Sequence, residues 1–314
     1  MKVMSCNQRK KTSIGGQALI EGLMMKGPQI SAMAVRTASG EIDLETWETH
    51  KGGKKPWYKT TPFIRGAFNF VDTLKDGYSC LMKSAEKADF DLDEPGPFDR
   101  KMEQWFGEHA MKVISAIAMV IAVVLSVLLF MVIPAAISKA LAPVLTTRLA
   151  KATVEGCIKI AIFLAYVAAV SRTKDIYRVF QYHGAEHKTI ACYEAGLPLT
   201  VENIRGQCRF HPRCGTSFLL IVLVVSILVF SVVTWDNLVV RVLLKFALLP
   251  VTVGISYEII KFAGRHDNVV TRIISAPGLW LQRMTTNEPD DSMIECAIAA
   301  MEPCIPENAN DDNY

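Results

Sequence analysis

Val113 to Ile137 reads VISAIAMVIAVVLSVLLFMVIPAAI, a run with no charged residue. A helix crosses the hydrocarbon core of a bilayer in about 20 such residues, so this stretch reads the chain as an α-helical integral membrane protein. Pro134 falls near its end, where a helix leaving the apolar layer tolerates it. Working outward, Ile160 to Ser171 is apolar but short. It needs the turns upstream, where Glu155 and Lys159 sit four apart near a helix end and Lys159 can snorkel. Ser217 to Trp235 is again uncharged, and Thr234-Trp235-Asp236-Asn237 turns it with the indole at interface depth. Leu238 to Ile260 returns, with Arg241 and Lys245 near its start and Glu258 near its end. The pattern predicts about four transmembrane helices, near 113–137, 154–171, 217–235 and 238–260, in a membrane domain of residues 101–262.

The rest of the composition agrees. Length alone, 314 residues, suggests roughly two domains, but 51% hydrophobic content, clustered in runs, points to the lipid bilayer as the principal partner. A net charge of +3, with no aromatic-basic groove pattern, argues against nucleic acid. The eight cysteines are dispersed without a disulfide rhythm and read as reduced thiols. Met1 to Thr12 is basic and polar with no apolar run behind it, so no cleavable signal peptide is expected. The segment between the second and third spans carries Arg172, Lys174, Arg178, Lys188, Arg205, Arg209 and Arg213, and Lys261, Arg265 and Arg272 follow the fourth. By the positive-inside tendency both termini and that segment face the cytoplasm, in a multi-pass protein of the plasma membrane. Lys139, Arg148 and Lys151 in the first hairpin work against this assignment.

Before the membrane domain, Ile14 to Pro28 (IGGQALIEGLMMKGP) is a glycine-punctuated apolar run of short strands, and Ile30 to Val35 and Glu41 to Glu48 flank the turn Ala38-Ser39-Gly40. Residues 1–61 are therefore read as a small β-hairpin sheet, with Glu21 a solvent-facing strand carboxylate rather than a site residue. Residues 62–100 hold an amphipathic helix from Pro62 to Ala85, with Phe63, Ala67, Phe70, Leu74, Tyr78 and Leu81 at helical steps, and then an acidic linker. Such a helix suits a membrane surface or a packed interface, and core packing is its expected use. Residues 263–314 form a cytoplasmic helical segment. Val269 to Met284 is expected to break at Pro277-Gly278, and Asp290-Asp291-Ser292 to cap a last helix running to about Met301.

The chemistry concentrates between the second and third spans, in the segment 172–216, read as a loop around two motifs. Tyr182-His183-Gly184-Ala185-Glu186-His187-Lys188 has the H-x-x-E-H order of an inverzincin site, and three- and four-residue helical spacing puts His183, Glu186 and His187 on one patch. His211-Pro212-Arg213-Cys214 follows with a second imidazole and a thiol at metal-ligand spacing. Imidazole and thiolate suit zinc, or another divalent transition metal, better than magnesium or calcium. His183, His187 and one of His211 or Cys214 give three protein ligands and an open position, with Glu186 as general base. If His211 and Cys214 both bind, four ligands close a structural site, and the sequence leaves these two alternatives open. Tyr182 is expected at the membrane interface, Glu258 hydrated or paired with Lys261, and His266 solvated.

Taken together, IGGQALIEGLMMKGP, RGAFNFVDTLKDG, YHGAEHK, HPRCGTSFL and LQRMTTNEPDDSMIECAIAA resemble the YqhQ-like bacterial membrane proteins, a domain-of-unknown-function family. The resemblance covers nearly the whole chain. It implies a metal-dependent enzyme of the membrane, with the matching residues His183, Glu186, His187, His211 and Cys214. The expectation is a membrane zinc enzyme with a cytoplasmic-side site, a hydrolase acting on peptide or amide bonds. The rival is a non-enzymatic assembly or regulatory protein with a structural metal. The sequence names neither the substrate nor a protein partner.

Overall fold

The computed structural model describes residues 11–49, 56–88, 105–232, 237–266, 268–308 and 311–312. The basic N-terminal residues, most of the acidic linker and the turn residues Thr234 to Asp236 lie outside these. Two compact units emerge. One comprises Met1–Asp89, Tyr166–Val222 and Pro250–Tyr314, the other Phe90–Ala165 and Leu223–Leu249.

The first unit is built on a four-stranded antiparallel meander: β1 (Gly15–Leu19), β2 (Gly22–Lys26), β3 (Ile30–Arg36) and β4 (Ile42–Glu48), in the order β1-β2-β3-β4. The predicted hairpin sheet is thus present. Glu21 stands in the tight β1–β2 turn with φ +49° and not in a strand. The strands alternate with period two, so successive side chains leave on opposite faces. Leu23, Met25, Ala32 and Ala34 pack on one side with Tyr182, Ala185 and Ile190 of α5 (Lys174–Glu194) and with Met293, Ala297 and Ala300 of α10 (Asp291–Met301). Leu19, Met24, Met33 and Val35 pack on the other side with Cys80 of α1 (Ile64–Lys87). Both faces are covered, which explains an apolar content higher than a half-solvated sheet needs.

Helix α1 lies where periodicity predicts it, but its packing inverts the expectation. Gly66, Gly77, Cys80 and Ser84 are buried, while Phe63, Leu74 and Tyr78 are exposed. Small residues allow the close approach, while Leu81 and Phe70 pack inward beside them and the other large ones face outward. Farther on, α9 (Val269–Thr285) runs unbroken through Pro277, contrary to the expected break, and opens on a reciprocal Asn268–Thr271 capping box. Proline removes a single i to i−4 bond, and Gln282 bonds Ser217 Oγ at 3.1 Å, holding the helix against its neighbour. Helix α10 starts as predicted, Asp290 accepting from the Met293 amide at 3.0 Å. The segment read as a loop, 172–216, contains the long helix α5 and a short α6 (Val201–Arg205).

The second unit is helical. Its first helix is continuous from α2 (Ala110–Val127) through a π-turn (Leu128–Val132) into α3 (Ile133–Ala140). Parts of α4 (Arg148–Val170), α7 (Gly215–Val232) and α8 (Leu238–Arg265) complete it. Among the described residues three helices are long and apolar enough to cross a bilayer, Val113–Ala140, Leu149–Val170 and Val242–Arg265, and Gly215–Ser231 is a shorter apolar helix. Lys159 does not snorkel. Glu155 is ion-paired with Lys159 at 3.3 Å and with Lys245 of α8, and both ammonium groups lie over the Phe230 ring, 5.0 and 5.7 Å from its centroid.

Candidate metal centre

Helix α5 carries His183, Glu186 and His187 on one face, as the spacing requires. Gly184 stands between them because the chain leaving α9 crosses the helix there. A Cβ at this position would sit 1.9 Å from the Asn287 carbonyl oxygen. The crossing is fixed by the Asn287 amide donating to Phe180 O at 2.8 Å and by Gln181 Nε2 donating to Glu288 O at 3.0 Å.

That crossing strand also orients the first imidazole. His183 Nδ1 lies 2.8 Å from the Thr285 carbonyl oxygen, and His187 Nδ1 lies 2.6 Å from that of Arg209. A carbonyl only accepts, so in both rings Nδ1 carries a proton and Nε2 is the nitrogen left to face a ligand. His183 Nε2 is 3.2 Å from Cys214 Sγ. The ligand atoms of His183, His187 and Cys214 all lie within 4.8 Å of one another, and His187 and Cys214 are buried. Two imidazoles and a thiol gathered in this way could hold a metal ion.

His211 does not converge with these three. Gln282 clamps its backbone, Oε1 accepting from the His211 amide at 2.8 Å and Nε2 donating to its carbonyl at 2.7 Å. Its ring Nε2 instead lies 3.2 Å from Arg213 Nη2 and 3.6 Å from Glu194 Oε2. Glu194, fully buried, also accepts from the Thr12 amide at 2.9 Å and pairs with Arg213. Glu186 is buried beside the three donors, its Cδ 3.0 Å from where a Gly16 Cβ would stand on β1. Its Oε2 has no hydrogen-bond partner among the described residues.

The electrostatics follow from burial and proximity. Burial raises the Glu186 carboxyl above its ordinary range against the pull of His183 and His187. Burial works against a charged His183, but the neighbouring Cys214 outweighs it and lifts the imidazole to about 9. The Cys214 thiol, which burial would raise, is held well below its usual value by His183 and His187. Burial lowers His211.

All five site residues fall in the part of the chain, residues 61–307, that matches the family model described as "Protein of unknown function (DUF1385)". The chain belongs to this family. Among its relatives, the uncharacterized protein YqhQ of Bacillus subtilis (strain 168) is 35% identical over 285 residues, covering 90% of this chain and 89% of that protein. No solved structure matches. The expected resemblance is therefore correct.

Other expectations are corrected in detail. Tyr182 is fully buried in the core between sheet and helices, not at an interface, with its hydroxyl 3.4 Å from Glu21. Glu21 binds Arg178 through both carboxylate oxygens at 2.5 Å, on the same helix as His183 and His187 but one turn before them. Glu258 pairs with Arg65, whereas His266 is exposed as expected, its Nδ1 3.1 Å from the Phe262 carbonyl oxygen. What the sequence reading missed is the support: Thr285, Gln282 and Glu288 in the LQRMTTNEPDD stretch, and the carbonyl of Arg209. Glu288 binds Lys188 at 2.5 Å and Arg209 at 2.7 Å, tying the crossing strand to the motif helix. The stretch was legible as part of the resemblance, but nothing in its residue types announces that a backbone carbonyl orients a ligand.

Proposed function

We propose that this chain is a multi-pass protein of the plasma membrane with about four spans and cytoplasmic termini, and that it binds zinc or another divalent transition metal through His183, His187 and Cys214 as a metal-dependent hydrolase. Peptide or amide bonds at the membrane surface are the first substrates to test. The observation that carries the reading is the convergence of two Nε2 atoms, each fixed by a carbonyl behind its ring, on one thiol. Gly215–Ser231 supports a fourth span, since the uncharged sequence continues to Trp235.

His211, held by Glu194 and Arg213, leaves the set at three ligands, the count of a catalytic rather than a closed site. A metal bound there supplies Lewis acidity, polarising a carbonyl and acidifying water. Glu186 takes up the proton from the attacking water at its unpartnered Oε2 and returns it to the leaving amine. Thr285 and Arg209 hold the two rings in register while Gly16 borders the carboxylate.

A second reading rests on Cys214 itself. Its sulfur stands just before α7, 3.5 Å from the Thr216 amide and 3.2 Å from His183, the setting of an activated thiolate nucleophile. Metal analysis of the detergent-purified protein, wild type beside Glu186→Gln, separates the possibilities. The hydrolase reading expects near-stoichiometric metal in both and loss of the gene's function in Glu186→Gln alone. A metal-free wild type prepared without chelators, inactivated by iodoacetamide, leaves the thiolate. Full complementation by Glu186→Gln with metal retained leaves a structural site.

A further inference from the structure

Helix α1 has three faces. Gly66, Gly77, Cys80 and Ser84 form the buried one, and Arg65, Asp72, Asp76 and Lys83 a charged one. The third is apolar yet uncovered: Phe68, Val71, Leu74, Tyr78 and Met82, at steps of three and four, are 45% to 60% exposed. A contiguous apolar stripe of this kind marks a surface that something covers.

The helix is fastened to the C-terminal half of a candidate span. Arg65 binds Glu258 of α8 at 2.8 and 2.6 Å, Asn69 Nδ2 donates to Tyr257 at 3.1 Å, and a Cβ on Gly66 would stand 3.0 Å from Gly254 Cα. Phe70 meets Phe218, at the start of α7, with ring centroids 5.6 Å apart. These contacts join Arg65 to Asn69 of α1 with Gly254 to Glu258 of α8, and Phe70 with the start of α7. The stripe is continuous in character with exposed Val251 and Phe262 of α8. Tyr58, packed 4.6 Å from Phe68, and exposed Trp57 supply aromatics of the kind found at headgroup depth. Lys75 lies beside the stripe, where its stem can follow apolar surface while its ammonium stays hydrated.

We infer that α1 lies in the plane of the bilayer surface with Phe68, Val71, Leu74, Tyr78 and Met82 in the headgroup–acyl boundary. The inference rests on the membrane reading above, because the boundary is that of the bilayer α8 would cross. It carries a consequence for the site. The sheet packs on α1 with one face and on α5 with the other, and Gly16 of its first strand borders Glu186. A docked α1 therefore holds the candidate metal centre one helix and one sheet away from the lipid, within reach of membrane-proximal substrate.

The test is photo-crosslinking of the full-length protein in phosphatidylethanolamine–phosphatidylglycerol nanodiscs. p-Benzoylphenylalanine replaces Val71 or Tyr78 on the stripe, Val120 in the first span, or Ser39 in the β3–β4 turn, and intact mass reads the adducts. The expected result is a gain of one phospholipid mass at 71, 78 and 120 but not at 39. Lipid adducts at 120 alone overturn the docking and leave the membrane reading standing. Adducts at none of the four overturn both. A crosslink from 71 or 78 to a second copy of the chain shows that protein covers the stripe, and overturns the proposal as well.

Discussion

Two buried polar clusters in this molecule behave in opposite ways. In the second unit Glu155, Lys159 and Lys245 are each less than a tenth exposed and are turned toward one another, carboxylate to ammonium, over the face of Phe230. In the first unit His183, His187 and Cys214 also converge, but as three donors of electron pairs, with a carboxylate beside them whose outer oxygen has no partner. The first cluster pairs its own opposite charges and ties α4 to α8. The second leaves the Glu186 Oε2 without a partner among the described residues, and under the proposed function a bound metal would complete it. Ionisable groups in apolar surroundings are functional candidates by default, and this contrast divides them: complementary charges that neutralise one another are a fastening, whereas like donors aimed at one point are a site.

The contrast breaks most severely at Glu155. Glu155→Ala removes the carboxylate that both lysines share, and leaving buried charge uncompensated costs about 3–5 kcal/mol. The expected outcome is loss of folded protein from the membrane fraction. The triple change Glu155→Leu, Lys159→Met, Lys245→Met should restore it, since replacing a whole buried ion cluster is often neutral. A triple variant as poor as the single one would mean that the cluster does more than fasten helices.

His187→Ala should act differently, sparing the membrane level while reducing metal affinity by more than about 100-fold, because losing a ligand exceeds the usual cost of losing its outer support. Metal content by mass spectrometry decides it. Gly184→Ala probes the same centre from behind. The added methyl collides with Asn287 O and displaces the strand that presents the Thr285 carbonyl. A roughly 10–100-fold loss of metal affinity is expected, the size of an outer-support defect, alongside about 1–3 kcal/mol of overpacking. Unchanged metal binding in a folded Gly184→Ala protein would remove Thr285 from its assigned part.

The smallest effect concerns Glu288. Burial raises its carboxyl, but its bonds to Lys188 and then Arg209 outweigh this and hold it below the usual range. A depressed folded-state pKa contributes stability that is complete above the unfolded value of about 4.3 and lost as pH falls through the folded one. Thermal unfolding scanned downward from pH 6 should show wild type losing a small increment near and below pH 4 that Glu288→Gln never has. Parallel curves would sink the assignment.

The sequence by itself determined the local things. Uninterrupted apolar runs announced helices long and apolar enough to cross a bilayer, three of them among the described residues. Period-two alternation and glycine turns announced the sheet, and Asp290 announced the start of the last helix. The H-x-x-E-H spacing put His183, Glu186 and His187 on one face, because helical geometry leaves no choice once the helix forms. Only the tertiary structure decided what depends on distant chain segments meeting. It chose Cys214 over His211, since Gln282 and Glu194, some seventy residues later and seventeen earlier, capture the His211 backbone and ring. It turned Lys159 inward, where a snorkelling lysine was expected, because Lys245 and Phe230 arrive on other helices. It reversed α1, burying glycines and exposing phenylalanine, because close backbone approach to the sheet and to α8 requires residues without bulk. Hydrophobic periodicity identifies that a helix has an apolar face, but not which neighbour, or which solvent, will cover it.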